Sequence, residues 1–148
     1  MRTWINLSIF SVALLLGSPA VAETTCSAAT ARFDEASAAY VSEGPKAFID
    51  GLAKGGPLDG DTRLLGQVRN MEQIEDYFGG VNGHSVISAK PLGSRTCYLF
   101  VLLEYENGVA FAVATMYRVK TGQTAATSIF FKTEPEAIFP KQLLVESK

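Results

Sequence analysis

The thirteen residues from Trp4 to Leu16 are almost all apolar, broken only by Asn6, Ser8 and Ser11. Met1, Arg2 and Thr3 place a short positive segment in front of them, and Gly17-Ser18-Pro19 ends any helix behind. Ala20-Val21-Ala22 then puts small residues where a signal peptidase cuts, so the pattern predicts an export leader over residues 1–22 with cleavage after Ala22. The run is shorter than the roughly 20 apolar residues that span a bilayer, which argues against an uncleaved anchor. Glu23, Thr24 and Thr25 precede Cys26 where a lipoprotein signal carries small apolar residues, which argues against lipidation. A leader of this kind sets the compartment, periplasmic or extracellular, and with it the redox state in which the rest must fold.

The expected mature chain, residues 23–148, has 126 residues, enough for one domain with a real core. Loss of Arg2 takes the formal charge from −2 to −3. Lys and Arg are scattered singly, so neither the basic stripe of a nucleic-acid binder nor a polybasic membrane patch is present. Past the leader no apolar stretch is long enough to cross a membrane. Cys26 and Cys97 lie 71 positions apart, and an oxidising compartment favours their closure into a disulfide. Redox-active pairs sit close together, as in Cys-x-x-Cys, so the expected role is a structural staple.

Ser27 to Val41 reads as a helix with Phe33, Ala36, Tyr40 and Val41 on one face and Arg32, Asp34 and Glu35 facing away. Gly44 breaks it, and Pro45 opens a second helix to about Ala53, with Phe48, Ile49 and Leu52 at helical spacing. Lys54 to Asp61 is glycine-rich loop. Thr62 to Val68 is expected as a short strand, and a third helix is expected from Asn70, an N-cap with Gln73 three residues on, to Gly79-Gly80. Strands follow at Ser85–Lys90, Thr96–Tyr105, Val109–Lys120 and Thr124–Phe131, with Asn107-Gly108 and Thr121-Gly122-Gln123 as turns. The third of these is apolar on both faces, which marks a central strand, and its Ala110, Ala112, Ala114 and Met116 face invites close approach by a helix. Helices first and a meander after them predict an α+β domain with helices packed on one face of a curved, four-stranded antiparallel sheet.

This element order over Ser27 to Phe131 resembles the NTF2-like (cystatin-like cone fold) superfamily, which has no short diagnostic motif. The resemblance implies a cone between sheet and helices that holds ligands in many members. In its isomerases and cyclases the cone carries acids beside a tyrosine or histidine. It also implies pairing through the open sheet face, hence a homodimer.

The nearest candidates for such chemistry are Tyr40, Tyr77, Tyr117 and Glu104: a carboxyl in an apolar pocket can act as a base, and a tyrosine can donate to an oxyanion. Against this, Glu104 stands beside Glu106 at a strand end, where solvated charges belong, and the last strand has no acid or histidine. His84, the only histidine, is expected at the surface where a loop meets a strand; alone it builds no zinc site. Asp59-Gly60-Asp61 lacks the remaining ligands of a calcium loop, and no metal or cofactor is expected. Ile129-Phe130-Phe131 and Ile138-Phe139 are core if the tail between Pro135 and Pro140 folds over the sheet, and otherwise form a patch for a partner. The expected function is an exported, non-catalytic domain that binds a small apolar ligand or a protein partner. The alternatives are a cofactor-free enzyme of the isomerase or cyclase kind, and an accessory component of an envelope or secretion assembly. Mass analysis of the protein from its native host is expected to give a chain beginning at Glu23 with no free thiol; one beginning at Met1 with both thiols free overturns export.

Overall fold

A computed structural model describes residues 21–145, so the expected leader lies outside the described residues except for its last two positions. The first helix, α1 (Val21–Glu43), is rich in alanine, the residue with the highest helix propensity. Ala29, Phe33, Ala36, Ser37 and Tyr40 form its buried stripe, spaced as a helix face requires. Val41, expected on that stripe, is 55% exposed. At 3.6 residues per turn it stands about 80° round from Phe33.

Gly44 adopts φ +92°, its N–H bonds to the Tyr40 carbonyl, and the chain turns into α2 (Pro45–Ala53). Phe48, Ile49, Leu52 and Ala53 are buried on α2. Gly51 lets the two helices close up: a Cβ there would stand 3.3 Å from the Ala36 Cβ.

Thr62 to Val68 is helical, contrary to the expected strand. Asp61 accepts from the Arg63 N–H and opens a 3₁₀ turn at Thr62–Leu64, which runs straight into α3 (Leu65–Phe78). Leu64, Val68 and Met71 recur at helical spacing, and α3 buries Val68, Met71 and Ile74. Asn70 therefore stands inside a helix and not at its cap; the N-terminal signal is Asp61, nine residues earlier. Gly79, at φ +84°, ends α3 as expected.

The four strands β1 (Val81–Leu92), β2 (Thr96–Tyr105), β3 (Gly108–Arg118) and β4 (Thr124–Lys132) pair antiparallel in the order β1-β2-β3-β4, an open meander. Register shifts at Val81/Gly83, Val86/Ser88 and Thr115/Met116 mark irregularities that bend the sheet. The inner face, from Leu99, Val101 and Leu103 on β2, Ala110, Ala112, Ala114 and Met116 on β3, and Ile129 and Phe131 on β4, forms one core with α1, α2 and α3. The alanines of β3 are completely buried there, as their pattern predicts. The fold is thus α+β, helices on one face of a curved antiparallel sheet.

Cys26 and Cys97 form the expected disulfide, which joins the start of α1 to β2. Thr25 adds a hydrogen bond from its hydroxyl to the Ser94 carbonyl, 3.0 Å, beside it. Among the described residues no helix is long and apolar enough to cross a membrane. The bridge closes a loop of 71 positions. Replacing both cysteines by alanine is expected to lower the stability of the oxidised protein by about 2–4 kcal/mol in urea unfolding; an unchanged midpoint would show that the bridge is idle.

Candidate functional site

Among the described residues, a cluster of titratable side chains with two buried tyrosines lies where α1, α3 and β2 meet. Tyr40 and Tyr105 bring their hydroxyls to 3.0 Å, and both side chains are buried. The rings seal them: Tyr40 stacks at 5.2 Å on Phe48 and Tyr105 lies 6.3 Å from Phe78. Glu75, on the inner side of α3, bears on both tyrosines. Burial raises the Tyr40 hydroxyl far above the ordinary tyrosine range, aided by Tyr105 and by the charge on Glu75. Burial also pushes Tyr105 up to about 12. Glu75 is itself raised, first by burial, while Tyr40 donating to its carboxylate works the other way and its neighbours Glu72 and Asp76 add repulsion. Either hydroxyl can donate in the hydrogen bond between the two tyrosines. The Tyr40–Tyr105 hydrogen bond, with Glu75 beside it, ties α1, β2 and α3 together.

The four sequence candidates do not converge. Tyr40 alone is in the core. Tyr77 is on the outer side of α3 and 80% exposed. Glu104 is exposed on the outer face of the sheet, where it accepts from the Ser85 hydroxyl at 3.2 Å. Tyr117 is half-buried on β3 with the Arg95 guanidinium 4.9 Å above its ring. The partners that Tyr40 does have, Glu75 and Tyr105, were hidden in sequence. Glu75 sits in the acid-rich run Glu72–Asp76, which reads as a solvated helix face, and Tyr105 closes an apolar strand next to a turn.

His84 departs from the expected surface position. β1 begins at Val81, so His84 is inside the strand, its side chain only 18% exposed. Its ring packs against Phe33 at 5.4 Å and its Nε2 lies 2.7 Å from Asp34 Oδ1. The pair ties β1 to α1, and a separation of 50 positions concealed it. Asp59 and Asp61 serve separate ends of their loop. Asp59 accepts from the Gly55 N–H, while Asp61 is held below the usual carboxylate range by hydrogen bonds from Arg63. Among the described residues no three His, Cys, Asp or Glu side chains gather closely enough to hold a metal ion.

The outer face of the sheet is the other apolar surface. Phe100 on β2 and Phe111 and Val113 on β3 lie there, and residues 135–145 fold across them. That segment is a 3₁₀ turn (Pro135–Ala137) followed by the one-turn helix α4 (Lys141–Leu144). Phe139 between them is buried, edge-on to Phe100 at 5.4 Å and to Phe111 at 5.3 Å. The tail therefore does fold over the sheet, and it covers only part of it. Phe131 points into the main core, whereas Phe130, opposite Val113 on the outer face, is 55% exposed. Val109, on the same side of β3, is 39% exposed.

Neither family models, nor curated proteins, nor solved structures match this chain. Glu75 offers a direct test of the interior cluster. A carboxyl raised by folding costs nothing below its ordinary value of about 4.3, where both states are protonated, and destabilises the fold as pH climbs past it. Glu75→Gln is therefore expected to raise the melting temperature at pH 7, and the gain is expected to vanish at about pH 3.5; an equal gain at both pH values refutes the shift.

Proposed function

We propose that the protein is an exported, non-catalytic domain of the NTF2-like kind that binds a protein partner through the outer face of its sheet. The observation that carries this reading is the exposure of Phe130 and Val109 on the outer face, Phe130 opposite Val113 and Val109 two residues before Phe111 of the Phe100–Phe111–Phe139 cluster. An aromatic ring half out of water on a rigid strand is the kind of anchor that dominates interfaces. Export is supported by the Cys26–Cys97 bridge together with the apolar leader in the sequence. The NTF2-like assignment rests on helices preceding a curved four-stranded meander. A partner in place of a small ligand is supported by the interior, where buried side chains of the helices and of the sheet form a single apolar cluster. A non-catalytic role is supported by the dispersal of Glu104, Tyr77 and Tyr117 and by the rings that close over Tyr40.

Native mass spectrometry of the protein from its host tests this. The expected result is a co-purifying polypeptide, a second copy included, that Phe130→Asp weakens by about tenfold or more in affinity while the melting temperature holds. A retained small molecule with no second chain, or an association indifferent to Phe130→Asp, overturns it.

A further inference from the structure

Along α3 the surface opens into a cleft of about 650 Å³, whose second wall is the connector between β4 and the 3₁₀ turn. Asn70, Gln73, Ile74 and Tyr77 recur at i, i+3, i+4 and i+7, so they line it from one side of the helix over about 10 Å. Thr133 and Glu134 line it from the connector. The backbone is fixed on both sides. The end of α3 is held where the Phe78 carbonyl accepts from the Asn107 N–H. Glu134, at φ −103° and ψ 119°, is kept extended by Pro135 behind it, and its carbonyl accepts from the Ala137 N–H.

Among the described residues no Lys or Arg lines this cleft, so a phosphate or carboxylate finds no counter-charge in it. The Asn70 and Gln73 amides and the Thr133 hydroxyl each donate and accept, and the Glu134 carboxylate accepts. None of these four side chains hydrogen-bonds to another described residue, so that capacity is open to a ligand. Ile74 is buried and supplies an apolar base, while Tyr77 is 80% exposed. A lone exposed ring is ordinary on a surface; this one is braced edge-to-face against Phe78, 4.9 Å away at 75°. The Phe78 ring is itself taken up by Gly108, whose added Cβ would come within 2.3 Å of it, and by Tyr105 at 6.3 Å. Tyr77 is thus the ring of this pair with a face to offer, and one ring is less than the aromatic-lined groove that grips a proline-rich peptide. The matching ligand is uncharged, carries many groups that both donate and accept, and has one apolar face. We propose that the cleft binds a neutral saccharide, with the C–H face of a sugar ring on Tyr77 and its hydroxyls on Asn70, Gln73 and Glu134. The site is separate from the outer sheet face, since α3 packs on the inner one.

Titration of the full oxidised chain with maltose, cellobiose and di-N-acetylchitobiose, followed by amide NMR, tests this. The three differ in linkage and substituent and share the neutral, hydroxylated ring. At least one is expected to bind with a Kd between about 0.1 and 10 mM, as suits a few hydrogen bonds and one ring. The side-chain amide signals of Asn70 and Gln73 are expected to move with it. Tyr77→Ala is expected to weaken binding about tenfold, while Tyr77→Phe, which keeps the ring, leaves it unchanged. Asn70→Ala is expected to weaken it about three- to tenfold, and Gln73→Ala, at an exposed position, gives the same reading if Asn70→Ala fails to fold. Phe130→Asp is expected to leave saccharide affinity unchanged. Binding of none of the three sugars, binding indifferent to Tyr77→Ala, or shifts confined to residues outside the cleft overturns the site. A polyproline peptide that enters the cleft where no sugar does assigns it to a polypeptide and overturns the proposal too. Saccharide binding that Phe130→Asp abolishes places the sugar on the sheet face and refutes this cleft, whereas loss of the protein partner alone leaves it standing.

Discussion

The covalent link between Cys26 and Cys97 is the constraint from which the helix layer takes its position. It pins the start of α1 to the second strand, with Thr25 bonded to the Ser94 carbonyl alongside. From that fixed end the helix runs over the sheet, and its stripe from Ala29 to Tyr40 meets an inner face trimmed to alanine along β3. Small residues there let backbones approach. The His84–Asp34 contact and the Tyr40–Tyr105 hydrogen bond then fasten the middle and far parts of α1 to β1 and β2. One long helix is thereby held at three heights, by a bridge, an ion pair whose charge depends on the imidazole, and a buried hydroxyl pair. Each fastening uses a different physical interaction, so no single change of solvent conditions releases all three.

Most of the architecture was legible in the chain. Alternation, the Asn107-Gly108 turn and the two apolar faces of β3 located the central strands closely, because a half-buried strand writes its period into sequence. Gly44-Pro45 and Gly79 did the same for helix ends, because a left-handed glycine and a proline at the first helical position have few other uses. The misreading of Thr62–Val68 has a physical origin. A short apolar run is ambiguous between strand and helix, and the deciding residue, Asp61, lay just outside the window. Val41 failed for a smaller reason: beside Tyr40 on the page, it is a quarter-turn away in space.

The candidate sites were less legible than the fold, and long sequence separations explain why. Tyr40 could be named, yet its partner Tyr105 stands 65 positions on, and Asp34 and His84 are 50 apart. Such pairs are created by packing, and a single sequence carries no mark of them. The tail was an open question in sequence for the same reason. Ile138 and Phe139 have the composition of a core and of an interface alike, and only the rings of Phe100 and Phe111 decide between them.

The two ends of the sheet differ in how much change they can absorb. At the β2–β3 turn, Gly108 lies flat under the Phe78 ring, where an added Cβ would come within 2.3 Å of it. The N–H groups of Glu106 and Asn107 bond to the carbonyls of Gly80 and Phe78, so this hairpin is welded to the end of α3. The β3–β4 turn needs glycine at its tip only for the φ of +91° at Gly122, has open space around it, and its backbone bonds join Val119 to Gly122 and Gln123 without reaching a helix. Descendants of this chain can therefore lengthen, decorate or recolour the second turn at little cost to the core, while the first must be inherited whole together with the helix it touches.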